Sequence, residues 1–465
     1  MTAAYGTSVA LGAVYSSYKV QFAIDKAKEL KRDGFFNLNK TFLPAKLFYF
    51  LFMGSMVTFL PFVPVYMEQL GLSSFQIGIV RTVQPVGTII ACPLWGAVAD
   101  RFGIHRKLVI TGIVIGGSAT FATYFTPTSV HSPGNDTSWT TQAPSSWDST
   151  YITFSVVMTL AIVSILFLAH VTPTVDSNVM LLLKDFPDTD YGRQRLWGAA
   201  GWGSFAAITG LAMDTYIKYV PDGNRFLPAY IIFLALMIPA VIPVSLMRFP
   251  KHTQPESISG GIWKLFKSLK VIVFFTVAGV GGLSLGVINT FQFLFLNDLN
   301  APSLVMGLTL TFTCLSEIPF MFAAGRIIKW TGEETVFAMA LACYTLRFFL
   351  YAILRNPWLI LPIELLHGIC FGAMWPAMTS FANKVAPPGM GATVQNLVSA
   401  VSMGAGRSIG SIVGGYIYNT YGARTLFWDC GYLCAGTTVL LIFYTLIEAV
   451  RARSRRRTPT SYDEI

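Results

Sequence analysis

The sequence predicts an all-α membrane protein of twelve transmembrane helices, on three observations. Of 465 residues, 53% are hydrophobic and only 12% are charged. Soluble domains carry about 25% charge, so much of this surface faces something other than water. Second, apolar runs near the length of about 20 residues that a helix needs to cross hydrocarbon recur twelve times. Third, of the 33 Lys and Arg, 26 fall on one side of the resulting topology. Four fall on the other (Lys218, Arg225, Arg355 and Arg424) and three inside spans (Arg81, Arg347 and Arg407). That asymmetry places both termini in the cytosol. It also explains the net charge of +10 without a nucleic-acid partner. A secreted or cytosolic enzyme is excluded at this stage.

A cytosolic tail is expected first, at 1–43. Residues 1–18 hold no positive segment, so the first span is expected to act as its own insertion signal. Spans follow at 46–67, 75–98, 107–126, 151–175, 196–215 and 227–248, within an N-terminal bundle at 44–248. Residues 249–269 are polar and basic and read as the cytosolic linker. The second bundle, 270–449, holds spans at 270–296, 303–328, 334–354, 357–382, 393–418 and 425–448. A basic cytosolic tail, 450–465, ends the chain. Each span is helical because lipid offers no partner for an open backbone. The loop at about 127–150 is rich in Ser, Thr, Pro and Trp. It carries Asn135-Asp136-Thr137, a glycosylation acceptor on the luminal side. The six cysteines lie in apolar stretches with no metal-site spacing and read as small buried hydrophobes. No cofactor is expected. Gly406, Gly410 and Gly414 repeat every four residues and read as close helix packing.

After the second span comes Gly96, then Asp100, Arg101, Gly103, Arg106 and Lys107. An acid at a helix C-terminus opposes the helix dipole and needs basic partners or a neighbouring helix start. Gly96 admits a close helix and Gly103 a tight turn. Such a cluster can latch two helices in one conformation and release them in another. This Gly-x3-Asp-Arg-x-Gly spacing resembles the signature of the major facilitator superfamily. The resemblance implies two pseudo-symmetric six-helix bundles rocking around a central site. The equivalent place after span eight, Gly325 to Gly332, keeps its glycines and lacks the acid.

Each ionisable group at mid-bilayer costs about 2.5–3.5 kcal/mol on insertion scales, yet the spans hold Arg81, Glu317, Arg347, Glu364, His367 and Arg407. Glu364 and His367 are i, i+3 and share one helix face. Structural ion pairs are one reading; a polar pathway that moves protons is the other, and the number of groups favours the second. Asp176 and Arg195 lie near span ends. Around them, Pro173-x-Val-Asp176 precedes Gly192-Arg193-x-Arg195-x-Trp197-Gly198-x-x-Gly201-Trp202. The tryptophans and arginines fit interfacial anchors and a sugar- or base-stacking site equally well.

That pattern resembles lactose permease and related oligosaccharide and nucleoside proton symporters. The resemblance implies that Asp176, Arg195 and Trp202 hold the solute. It further implies that Glu317, Arg347 and His367 contribute to solute and proton coupling. The departures are Cys370 where the permease carries an acid, Glu364 in place of a lysine, Asn289 and Gln292 in place of two acids, and Arg407 in place of a lysine. The proton path must then be rewired, with Glu364 as the titrating acid and Arg407 as its counter-charge. Asn39 to Phe52, Gly71 to Gly78, Glu364 to Trp375 and Ala386 to Gly389 are similar to the major facilitator superfamily domain-containing protein 6 family, over about 37–448.

The expectation is therefore a monomeric, alternating-access symporter in the plasma membrane. Its partners are protons, a sugar-like or nucleoside-like solute and the bilayer. The rivals are a uniporter and a non-transporting receptor or scaffold built on the long outer loop. The sequence does not name the solute.

Overall fold

The computed structural model describes residues 41–128, 146–183, 185–186, 191–249, 268–386 and 391–457. Asn135, most of the linker and most of both tails lie outside the described residues. Among the described residues all regular structure is helical.

Twelve long helices run in order among the described residues. The first six are α1 (Leu43–Gln69), α2 (Ser74–Phe102), α3 (His105–Phe125), α4 (Thr150–Leu183), α5 (Tyr191–Tyr219) and α6 (Leu227–Leu246). The second six are α7 (Leu269–Asp298), α8 (Ser303–Thr331), α9 (Glu333–Ile353), α10 (Pro357–Val385), α11 (Val394–Tyr421) and α12 (Ala423–Arg457). Eleven are long and apolar enough to cross a membrane. The exception is α5, 29 residues long but diluted by glycines and by Arg193, Arg195, Asp214 and Lys218. It packs against α1 and α8, so Asp214 and Arg195 meet protein, while Lys218 is exposed at its end.

Local sequence sets several ends and bends. Ser73 caps α2 by accepting from the Gln76 amide at 3.3 Å, and Gln76 answers by accepting from the Ser73 amide at 2.9 Å. Gly103 closes α2 at φ +65°, a backbone state that costs glycine nothing. α1 is interrupted at 60–62 beside Pro61, and α4 at 169–170 shortly before Pro173. Span four does not stop at 175: the helix runs on to Leu183, and α5 starts at Tyr191 instead of 196. Asp176 and Arg195 look terminal to hydropathy, yet both stand on continuous helix.

α10 and α11 each contain a π-helical stretch, Gly368–Ala373 and Ala400–Gly406. Each stretch abuts an ionisable side chain, His367 in one and Arg407 in the other. Such bulges collect at functional sites.

Two seams join the halves: α5 against α8, and α2 against α11. They are pseudo-symmetric equivalents. Both are built on glycine. A Cβ at Gly210 would strike the Ser303 carbonyl and one at Gly307 the Ala206 carbonyl. Across the other seam, Gly78 faces the Ser411 carbonyl and Gly415 the Ser74 carbonyl. Gly406 and Gly410 likewise meet the α7 backbone, at Gly279 and Leu283, and Gly414 meets Phe291. The four-residue repeat is close packing, as read from the sequence.

Polar contacts reinforce the seams at one end. Asp214 accepts from the backbone amides of Ser303 and Leu304, both at 2.8 Å, so an α5 carboxylate caps α8. Arg225 donates to Ser303 Oγ at 2.8 and 3.0 Å and to Asn297 Oδ1 at 3.2 Å. Asn297 donates to Glu68 at 3.0 Å. At the opposite end a Cβ on Gly96, Gly103, Gly192 or Gly325 would meet nothing within 4 Å. The halves are thus clasped at the end holding Glu68, Asp214 and Arg225, and spread at the end holding Asp100.

Candidate functional site

The C-terminal half encloses a buried ion pair. Arg347 on α9 is 1% exposed and Glu364 on α10 is fully buried. Neither oxygen of Glu364 is free. One accepts from Arg347 Nη2 and from Thr313 Oγ1 at 3.0 Å. The other accepts from the Tyr351 hydroxyl and from Gln292 Nε2 at 2.6 Å. Four donors from three helices, α7, α8 and α9, saturate a carboxylate, which when ionised can only accept. Burial without such partners would carry a heavy desolvation cost.

Arg347 extends the network. Its Nε donates to the Tyr351 hydroxyl at 2.7 Å, and its Nη1 donates to His367 Nδ1 at 2.9 Å. An arginine can only donate, so Nδ1 is the accepting nitrogen and the ring is neutral with its proton on Nε2. That Nε2 lies 3.9 Å from Glu317 Oε2 on α8. Glu317 is a quarter exposed, unlike Glu364.

The N-terminal half offers a second cluster. Asp176 on α4 accepts from the Tyr49 hydroxyl of α1 at 2.5 Å. Arg195 on α5 lies 3.9 Å from Asp176 and stands over the Tyr49 ring at 5.2 Å. Both charged side chains are about one-third exposed. Glu317 on α8 and Arg195 on α5 carry opposite charges on the two helices of one seam, so the clusters attract each other across it. Trp202 is half-buried, two turns along α5 from Arg195 and on its side of the helix.

One expected pairing is corrected. The counter-charge of Glu364 is Arg347, not Arg407. Arg407 instead lines a cavity of about 470 Å³ between α2, α7 and α11, together with Arg81, Gln84, Asn289 and Asn396. The rotation of α11 set by its glycine stripe against α7 turns Arg407 toward α2. Asp176, Arg195 and Trp202 do not line this cavity. Cys92 does, so it is not the buried filler expected of it. Cys370 is fully buried.

The Asp100 cluster is also placed. Asp100 faces His105 Nε2 at 2.9 Å, and Arg106 donates to the Met247 carbonyl of α6 at 2.6 Å. Arg101 lies over the Phe102 ring, and Lys107 is exposed. Gly96 and Gly103 stand in open space, so in this conformation Gly96 admits no helix. Sequence reasoning missed Tyr49, Thr313, Tyr351, Asp214 and Arg225, for no single-residue signal separates a buried tyrosine or threonine that packs from one that donates. Arg81 was visible as a charge in a span and had no role assigned.

The comparisons with known proteins agree with this architecture. A model of the MFS_1 like family matches residues 42–428. The maltose permease of Geobacillus stearothermophilus is 26% identical over 420 residues, covering 89% of this chain and 96% of that one. The major facilitator superfamily domain-containing protein 6-like of Danio rerio is 26% identical over 265 residues, covering 54% of this chain and 47% of that one. Among solved structures, the nucleoside transporter NupG superposes with a TM-score of 0.68 at 18% identity, over 87% of this chain and 98% of that one. A D-xylose-proton symporter superposes at 0.60 with 13% identity, over 86% and 96%.

Proposed function

The chain belongs to the MFS_1 like family, which makes it a multi-pass membrane transporter and not an enzyme; from that premise we propose that it is a proton-coupled symporter of a sugar-like or nucleoside-like solute. It works as a monomer in the plasma membrane by alternating access, with both termini in the cytosol. The Lys and Arg asymmetry supports that orientation. Under it, the clasped end faces outward and the spread end faces the cytosol.

One observation carries the proposal: His367 stands between Arg347 and Glu317, and Glu317 and Arg195 carry opposite charges on the two helices of the α5–α8 seam. A proton on Glu317 removes the charge that Arg195 feels across the seam. Proton occupancy then alters the attraction between the halves, which is what coupling requires. Asp176, Arg195 and Trp202 hold the solute; Glu317 and His367 exchange the proton. Arg347 and Glu364 orient His367, because a carboxylate with four donors is poorly placed to release and rebind protons. The Asp100 cluster, released in this state, engages when the cytosolic end closes. Maltose permease and NupG are by name transporters of such solutes, which supports the class.

The test is cytosolic pH in cells expressing the protein at their surface, with pooled sugars and nucleosides added at mildly acidic external pH. Acidification by one pool, absent in Glu317→Gln and Arg195→Ala, is the expected result. Solute uptake with no proton movement would replace symport by uniport. That second reading is favoured by Cys370, fully buried at the position where the symporters it resembles carry an acid.

A further inference from the structure

We infer that the cavity between α2, α7 and α11 binds an anionic group, a carboxylate or a phosphate, and that the transported solute carries it. The inference rests on the symporter reading for the solute and deepens it by naming its charge.

Arg81 comes from the N-terminal half and Arg407 from the C-terminal half, and both face this one cavity of about 470 Å³. No Asp or Glu lines it among the described residues. The acids of the neighbouring clusters face other partners, Asp176 facing Tyr49 and Arg195, Glu317 facing His367 and Glu364 facing Arg347. Position 289, on the cavity wall facing Arg407, is a neutral asparagine.

The two guanidinium groups are poorly satisfied by protein. Among the described residues Arg81 has two long contacts, both 3.4 Å, to the carbonyls of Leu60 and Asn289, and its Nε is buried without a partner. The Arg407 Nε is likewise buried and unpaired, and its side chain makes no hydrogen bond among the described residues. Lining one cavity, the two like charges repel each other across it. A desolvated, unpaired like-charge pair is unfavourable in a medium of low dielectric constant. A planar guanidinium matches carboxylate and phosphate geometry with two parallel hydrogen bonds. An anion between Arg81 and Arg407 turns a repulsion across the seam into two attractions. Gln84, Thr88, Asn289 and Asn396 on the same walls can hydrogen-bond the remaining oxygens of the anionic group, while the rest of the solute reaches Asp176, Arg195 and Trp202 beyond this cavity. Binding therefore draws α2 and α11 together, which favours closing the cavity around the solute.

The test is equilibrium binding to the purified, detergent-solubilised full-length protein with no gradient present. Thermal stabilisation is read with matched probes: glucuronate against glucose, uridine monophosphate against uridine, and inorganic phosphate and chloride alone. The expected result is stabilisation by an anionic probe and not by its neutral partner, with affinity reduced at least about tenfold in Arg81→Gln and in Arg407→Gln. Arg407→Lys should recover part of it and shows that the variant chain folds. Equal response to phosphate or chloride alone would keep the site and assign it to a free anion. Equal stabilisation by charged and neutral partners, anion binding indifferent to both arginines, or no response to any anion would overturn the inference. Because no gradient is used, loss of proton coupling in cells with anion binding intact would sink symport alone.

Discussion

Removing both partners of the buried Arg347–Glu364 pair should damage this protein much less than the two single removals added together. In Glu364→Gln the guanidinium of Arg347, 1% exposed, keeps its charge and loses its only anion. What remains to it is Tyr351 and His367, both neutral. Breaking a buried pair in this way costs about 3–5 kcal/mol. Arg347→Met strands the carboxylate instead, with Thr313, Tyr351 and Gln292 still donating. Those donors place its loss at the lower end, about 3 kcal/mol. In the double variant Arg347→Met, Glu364→Met no charge is left behind. Its loss should fall well short of the summed single losses, with a coupling of about 1–3 kcal/mol. The assay is unfolding of the purified protein in mixed detergent, followed by tryptophan fluorescence. Single variants within about 1 kcal/mol of the parent, or losses that simply add in the double, would refute the reasoning. The pair would then be solvated or mispaired in the working protein.

Three further outcomes are expected. Asp214→Asn weakens two charge-assisted bonds to the Ser303 and Leu304 amides. The loss should be about 1–2 kcal/mol, shifting the clasped-to-open ratio some 5–30-fold toward open, read as distances between spin labels on the 220–226 and 299–302 loops; an unchanged distribution would contradict the clasp. Gly307→Leu sets a side chain against the Ala206 carbonyl, so the clasped state should become inaccessible and uptake should fall at least tenfold with surface expression retained; normal uptake would mean the seam is looser than described. Asp100→Asn should change stability by under about 0.5 kcal/mol, because Asp100 is over one-third exposed and faces only His105, yet should slow transport if the cluster engages on closing; equal transport would remove it from the mechanism.

The residues that matter were visible in the chain wherever burial carries a penalty. Glu317, Arg347, Glu364, His367 and Arg407 stand out because a charge in an apolar run is expensive, and that expense is a property of the run. Span ends were legible where charge meets apolar sequence, and failed at 175 and 196, where Asp176 and Arg195 read as boundaries. Both lie inside helices, where Tyr49 on a neighbouring helix meets Asp176 and the two charges face each other, which hydropathy cannot see. The pairing itself was misread for the same reason: Glu364 was assigned to Arg407 and belongs to Arg347.

By itself the sequence determined the helical class, the number of spans and the inventory of charges that needed partners. Only the tertiary structure decided which charge meets which, that Arg81 and Arg407 share a cavity, and which end of the molecule is clasped. The physical reason is that helices apolar all round give no periodic signal of the face they bury. Their rotation is fixed by glycine seams such as Gly210 against Ser303 and Gly78 against Ser411, which bring together residues far apart in the chain.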